Sequence, residues 1–199
     1  MRSSSAAHRR ESRRSTERWL AVLLLGISLS LGAQTQSEPP NGVLLVAKPG
    51  MVDPNFRETV VLVSQTPDGS TVGVILNRPT PQKHEKTGDP LGVGGPVMRE
   101  VLVALYRSER QPHAAAFHVL KGVYLTMHPQ NIEPLLGKRG QRYRLFMGFS
   151  GWAPGQLESE LARDGWFVQP ANEDLLFRSE TKELWEELVR KARGRVATR

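Results

Sequence analysis

Apolar residues along the chain come in short runs, and most of these runs predict β-strands. The run at 42–50 is bounded by Gly and Pro and is typical of a buried strand. Residues 53–59 begin with Asp-Pro and predict a single helical turn. Two β-branched runs then flank the turn sequence Pro-Asp-Gly at 67–69, and they predict an antiparallel hairpin of 60–64 with 72–77.

The second half of the chain mixes strands with helices. Residues 78–96 are polar and rich in Pro and Gly, so we expect a long surface loop there. The pattern after this loop predicts strands at 97–109 (one strand or two short ones), 118–127 (two short strands), 142–150 and 166–170. Helices are predicted at 129–140, at 154–163 and after Ser179, which we expect to cap the last helix.

Short strands in local antiparallel order, joined by a few helices, indicate an α+β fold rather than a doubly wound parallel sheet. The chain has 199 residues, which is enough for one domain with its own hydrophobic core. We place this domain at 42–192, with a linker at 34–41 before it and a basic tail at 193–199 after it.

The first 33 residues have the order of an export signal. A basic stretch precedes an apolar run at 19–33, and small and polar residues follow. The run is shorter than the roughly 20 residues that a membrane-spanning helix needs. Residues 1–33 are therefore predicted to be a signal peptide or an uncleaved N-terminal anchor. Both alternatives predict a protein that is exported, periplasmic or membrane-anchored through 19–33, with membrane contact only through this segment if it is uncleaved.

The net charge of +7 is located mainly at the two ends of the chain. Residues 1–20 contain six arginines and two acidic residues, and residues 190–199 contain five basic residues and no acidic one. Residues 34–189 contain 16 basic and 18 acidic side chains, so the body of the chain is nearly neutral. A nucleic-acid-binding domain usually concentrates positive charge on its folded surface. The charge distribution therefore argues against nucleic acid as a partner.

Catalytic and metal-binding patterns are weak in this sequence. There is no cysteine, and no two of the five histidines have the i,i+3 or i,i+4 spacing of a helical metal site, so we predict no metal site and no cofactor. Gly148 to Trp152 resembles the Gly-x-Ser-x-Gly nucleophile motif, but its second glycine comes one position too early. We therefore predict no catalytic residue and expect that the protein is not an enzyme.

Six segments in fixed order resemble one family of small bacterial proteins. They are "LLVAKPGMVDPNFRETVVLV", "GVILNRP", "GGPV", "GVYLT", "FMGFSGWAPGQLESELARDGWFV" and "LLFRSETKELWEEL". Together they cover about 42–190 and resemble the AlgH/YqgE family. The resemblance implies a compact single α+β domain, with a mixed, mostly antiparallel, barrel-like sheet and helices packed around it. It implies no agreed activity and no catalytic residue. Its members are often labelled transcriptional regulators and are typically cytoplasmic.

These observations favour a non-enzymatic binding or regulatory protein that is exported to the bacterial envelope. Its partner, a protein or a small molecule, is unknown. Six residues at or near predicted strand ends form a hypothetical ligand or partner surface, because glycines there permit close approach: Asn77, Arg78, Gly94, Gly95, Gly151 and Trp152. Two alternatives stay open, a cytoplasmic transcription regulator and an uncharacterised hydrolase that uses Ser150.

Overall fold

Ten strands and four short helices are found in the computed structural model, which describes residues 39–196. The strands are β1 (Val43–Ala47), β2 (Val60–Gln65), β3 (Thr71–Ile75), β4 (Pro79–Lys83), β5 (Pro90–Val93), β6 (Val97–Arg107), β7 (Phe117–Leu120), β8 (Val123–Thr126), β9 (Tyr143–Trp152) and β10 (Trp166–Pro170). The helices are α1 (Pro129–Ile132), α2 (Gln156–Ala162), α3 (Glu173–Leu176) and α4 (Leu184–Val196). The predicted α+β class is therefore confirmed.

The strands form one large sheet in the order β10-β1-β2-β3-β9-β6-β8-β7. All neighbours in this order pair antiparallel, while β5 pairs parallel with β9 and antiparallel with β4. The sheet is not closed, so the expectation of a barrel-like sheet is wrong. Its end strands β10 and β7 do not pair with each other. The backbone N–H groups of Asn41 and Gly42, just before β1, donate to carbonyls of β7.

Alternating side chains bury both faces of the central strands. On one face, Leu44 of β1 and Leu62 of β2 belong to the larger core, which also contains side chains of α3 and α4. On the other face, Leu45 and Val61 belong to a second core, which Leu157 of α2 helps to cover. Strands buried on both faces consist of nearly continuous apolar residues, which is why their runs in the sequence are so clear.

The segment 78–96 is not a long loop, because it contains the hairpin of β4 and β5. Proline has no N–H for a strand ladder, and it is tolerated at the edge of a sheet. Pro79 and Pro81 lie in β4, and β5 is the only strand that pairs with β4 in the described part of the chain. The proline-rich composition therefore indicates an edge strand here, and the loop prediction is wrong.

Strand β9 is longer than predicted and includes the whole Gly148–Trp152 motif. Ser150 pairs with Gly73 and Trp152 with Thr71, so the strand continues past its predicted end at 150. The chain leaves the sheet after Trp152, and α2 begins at Gln156 instead of Pro154. The register with β3 fixes this extension, which the local sequence does not reveal.

The remaining predictions have mixed outcomes. The hairpin of β2 and β3, the turn between β7 and β8, and β10 are confirmed. The predicted turn at 53–59 forms, with Asp53 accepting a hydrogen bond from the Asn55 N–H.

Helix α1 ends at Ile132, earlier than predicted, and α3 is missing from the prediction although Asn172 caps it. Helix α4 begins five residues after Ser179, which therefore does not cap it.

Two predictions concern the ends of the chain. Residues 1–33, predicted as an export signal, lie outside the described residues. Of the predicted basic tail, 193–196 continue α4 and the rest lies outside the described residues. Within 39–196, no helix is both long enough and apolar enough to span a bilayer.

Candidate functional site

Asn77 and Arg78, two residues of the hypothetical ligand surface, bind the helical turn at 53–58. The Asn77 side chain accepts from the Val60 N–H at 2.8 Å and donates to the Glu58 carbonyl at 2.9 Å. The Arg78 guanidinium donates to three carbonyls at the end of the turn, the closest being that of Asn55 at 2.6 Å. Burial and the neighbouring Arg57 charge lower the pKa of Arg78. Both side chains therefore hold the protein's own backbone.

Gly94 and Gly95 lie where the segment after β5 passes over β9. Gly94 donates its N–H to Met147 O at 2.9 Å, and its carbonyl accepts from the Ile75 N–H at 2.9 Å. A methyl carbon at Gly95 would lie 2.2 Å from Phe149 O, where no atom fits. The predicted close approach exists at both glycines, and the approaching group is the protein's own backbone.

Trp152 is in the second core, and Gly151 precedes it in β9. The Trp152 ring is 3% exposed and stacks on Phe56 at 5.4 Å between centroids. Its Nε1–H donates to Glu160 of α2 at 3.1 Å. Ser150 is fully buried, and its hydroxyl donates to Gly94 O at 3.1 Å. Ser150 therefore points into the protein, which does not fit a nucleophile that must meet a substrate.

The structure brings only part of the hypothetical surface together. Arg78 and Gly95 line one recess of about 310 Å³, which also contains Arg99. Asn77 and Arg78 line a second, with Lys182. Neither recess is lined by Trp152 or Gly151. A single ligand surface made of all six residues stays a prediction.

A different recess, of about 460 Å³, has more of the features of a binding site. It lies between β5, β9 and the segment after α3, and we call it the basic groove. Four cationic side chains and one acidic side chain line it. These are Lys138, Arg139, Arg144, Arg178 and Asp89.

Arg144 is the most buried of the four cations in the basic groove. Its guanidinium donates to Leu76 O at 2.6 Å and to Leu176 O at 3.0 Å, and it lies 5.1 Å from the centre of the Phe146 ring. No ion pair of residues 39–196 includes it. Burial lowers the pKa of Arg144 to about 10, and the side chain is still charged at neutral pH. A buried cation without a carboxylate attracts an anion.

The one acidic side chain of the groove, Asp89, is held by its neighbours. Its carboxylate accepts from the Thr87 hydroxyl at 2.5 Å and from the Gly137 N–H at 3.3 Å. Burial alone would raise the pKa of Asp89, but these hydrogen bonds, another from Tyr143 and the charge of His84 outweigh it, so the pKa is lowered. Asp89 is thus ionised and engaged with these neighbours. Of the four cations of the groove, only Arg178 belongs to an ion pair of residues 39–196, with Glu187 at 2.6 Å.

The sequence contains a signal for this groove that the charge average conceals. The segment "KRGQRYR" at 138–144 has four cations in seven residues. A more open shelf continues the groove past Lys138 and Arg139 to Arg107 and Arg110. Counting charge over 34–189 gives a nearly neutral body because acidic residues elsewhere balance this local cluster.

Comparison with known proteins identifies the family. Residues 44–197 match the model of the DUF179 family, which is described as AlgH-like. The chain belongs to the AlgH-like family. A UPF0301 protein from Mycobacterium avium is 34% identical to it over 167 residues, which are 75% of this chain and 81% of that protein. Another from Streptomyces coelicolor is 32% identical over 185 residues, 84% of this chain and 94% of that protein.

A solved structure has the same AlgH-like fold. The AlgH protein from Pseudomonas aeruginosa, determined in solution, superposes with a TM-score of 0.64 at 23% identity, covering 78% of this chain and 90% of that one. The predicted resemblance to the AlgH/YqgE family is therefore confirmed. The family is one of uncharacterised function, so the chemistry has to be argued from this chain's own residues.

The chemistry of this AlgH-like domain points to binding through charge. No group of three or more His, Asp or Glu side chains in the described residues is arranged to hold a metal ion. The basic groove instead offers guanidinium and ammonium groups, which are hydrogen-bond donors and never acceptors. Such an arrangement selects carboxylates and phosphates.

Proposed function

We propose that this chain is a non-enzymatic binding protein of the bacterial envelope, and that the basic groove is its binding site for an anionic ligand. The observation that carries the proposal is Arg144, a largely buried cation that lines a recess of about 460 Å³ and belongs to no ion pair of residues 39–196. Ligand sites are usually concave, with a few convergent polar groups.

The position of Ser150 supports a binding role over hydrolysis. A serine nucleophile must reach both its substrate and a general base. The Ser150 side chain is buried and donates to a backbone carbonyl.

The order of residues 1–33 supports the location in the envelope. Cell fractionation followed by N-terminal sequencing tests it. We expect the protein either in the periplasm, beginning after Gly32 or Ala33, or intact in the membrane fraction. An intact chain in the cytoplasm would contradict export and favour the alternative of a cytoplasmic regulator.

Titration with inorganic phosphate tests the basic groove. We expect phosphate to shift the backbone amide signals of Gly92 and Gly137 in NMR spectra, and the shifts to weaken as salt is added. Lys138→Gln removes one exposed charge from the groove and should reduce the affinity severalfold. Arg163→Gln removes a charge just after the end of α2, away from the groove, and should leave the affinity unchanged. If both variants lost affinity equally, phosphate would be attracted by the overall charge of the protein and not bound by the groove.

A further inference from the structure

Apolar side chains line the basic groove together with its charged ones. Leu91 and Leu145 lie side by side in the parallel pairing of β5 with β9, and they are 8% and 3% exposed. Pro79, Pro90 and the Phe177 ring complete the apolar part of the lining. An inorganic anion that binds the cations would leave this apolar surface in contact with water. A ligand with an apolar group would cover it and gain hydrophobic stabilisation.

Arg144 is held in place before any ligand arrives. The carbonyls of Leu76 and Leu176 fix its guanidinium, and the Phe146 ring lies against it. A guanidinium has five N–H donors, so these two hydrogen bonds leave others for a ligand. Because the side chain is already ordered, binding loses little conformational entropy. This fixed cation next to an apolar wall defines where the charge and the apolar group of a ligand would lie.

The size of the groove favours a small molecule. Its volume of about 460 Å³ lies within the range of small-molecule sites, roughly 300 to 1,000 Å³. The neighbouring shelf with Arg107 and Arg110 is larger and more open, as a site for an extended polyanion would be. On that shelf Glu173 neutralises part of the charge, since it pairs with Arg107 at 2.6 Å and with Arg142 at 2.9 Å. In the basic groove Glu187 likewise pairs with Arg178, at 2.6 Å, whereas Arg144, Lys138 and Arg139 belong to no ion pair of residues 39–196.

We infer that the basic groove binds a small organic anion, a phosphate or a carboxylate that carries an apolar group next to its charge. This inference rests on the proposed function, in which the groove binds anions. The anionic group lies on Arg144 and Lys138, and the apolar group lies against Leu91 and Phe177.

Four probes separate the two parts of the ligand. They are phenyl phosphate, benzoate, inorganic phosphate and phenol, each titrated into the full chain while the amide signals of Gly92 and Gly137 are followed. We expect phenyl phosphate or benzoate to bind about tenfold more tightly than inorganic phosphate, since burying a ring contributes at least this much. Phenol, which is neutral, should not shift these signals. The comparison of phenyl phosphate with benzoate shows which anionic group is preferred.

Two variants divide the effect between the charge and the apolar wall. Arg144→Gln should weaken phenyl phosphate and inorganic phosphate alike, by about tenfold. Phe177→Leu should weaken phenyl phosphate severalfold and leave inorganic phosphate unchanged. Because Arg144 also holds two carbonyls, its variant is first checked for folding by its amide spectrum. Lys138 is exposed, so Lys138→Gln gives the same test of charge without disturbing the two carbonyls that Arg144 holds.

The outcomes distinguish this inference from the proposed function. If inorganic phosphate binds in the groove as tightly as phenyl phosphate and benzoate, the inference is wrong and the anion-binding groove stands. If none of the anions shifts the groove signals, both are wrong. If a single-stranded oligonucleotide binds more tightly than every small probe and shifts signals of the shelf, the ligand is a polyanion and the inference is wrong.

Discussion

Replacing Trp152 with alanine is expected to lower the free energy of unfolding by about 4 kcal/mol. The indole is 3% exposed in the second core, stacks on Phe56 at 5.4 Å and meets Trp166 edge-on at 6.3 Å. Truncation would remove these contacts and leave a cavity. It would also leave the Glu160 carboxylate with one indole N–H, that of Trp166, in place of two. Chemical denaturation monitored by circular dichroism measures the change.

Two matched variants give the control for Trp152→Ala. Trp152→Phe keeps a ring in the core and loses the hydrogen bond to Glu160, so we expect about half of the effect. Val168→Ala truncates a side chain that is 54% exposed on β10 and should change stability by less than about 0.5 kcal/mol. If Trp152→Ala unfolds at the same denaturant concentration as the wild type, the ring is not a core residue. Trp152 would then be available again as part of the hypothetical ligand surface.

Local sequence predicts the central strands well because their physical signals are local. The hairpin of β2 and β3 follows from two β-branched runs around a turn, and the register Val63 with Gly73 agrees with it. The edge hairpin of β4 and β5 has no such signal, because its prolines are tolerated only where one side of a strand is unpaired. Whether a proline-rich segment forms a loop or an edge strand depends on whether a neighbouring strand pairs with it.

The extent of β9 depends on its partners. Gly151 and Trp152 remain in the strand because β3 pairs with them. A glycine-rich stretch followed by proline is typical of a turn when it is considered alone. The turn comes at 154–155, where Gly155 has a φ of +78° before α2. Tertiary pairing outweighs the local preference here.

The candidate binding site could be predicted only in part. The cluster of cations at 138–144 is visible in the sequence once charge is counted over short windows. The environment of Arg144 is not visible, because its partners Leu76 and Leu176 are 68 and 32 residues away in the chain. The alternation of 142–150 predicts a strand and places Arg144 on one face of it. Only the packing of β9 against the segment after α3 shows that this face is half-buried.

The residues that identify the family are only partly those that line the basic groove. The six ordered segments identify the AlgH-like family and, with it, the α+β fold. Those segments consist mostly of core residues and glycines at close approaches, which fold stability requires. The basic groove draws on "KRGQRYR", which lies outside all six segments. A search for function that follows only these six segments therefore reaches Phe177 and Arg178 but misses Lys138 and Arg144.

Replacing Gly94 with alanine is expected to lower the free energy of unfolding by roughly 3 kcal/mol. A methyl carbon at this position would lie 2.1 Å from Gly148 O and 3.1 Å from the Phe146 side chain. The backbone would have to move apart, although Gly94 also holds Met147 and Ile75 through hydrogen bonds of 2.9 Å. The variant therefore loses packing and these hydrogen bonds together. Thermal and chemical unfolding both measure the loss.

Gly151→Ala is the matched control, since both glycines belong to the hypothetical ligand surface. A methyl carbon at Gly151 would lie 3.4 Å or more from its nearest neighbours, which are atoms of the Phe149 ring and Val97. We expect a change in stability of less than about 1 kcal/mol, because alanine fits a strand at ordinary contact distance. If Gly94→Ala were as stable as Gly151→Ala, the close approach at Gly94 would not serve the fold. The space there would then be available to a ligand, as the sequence pattern alone suggests.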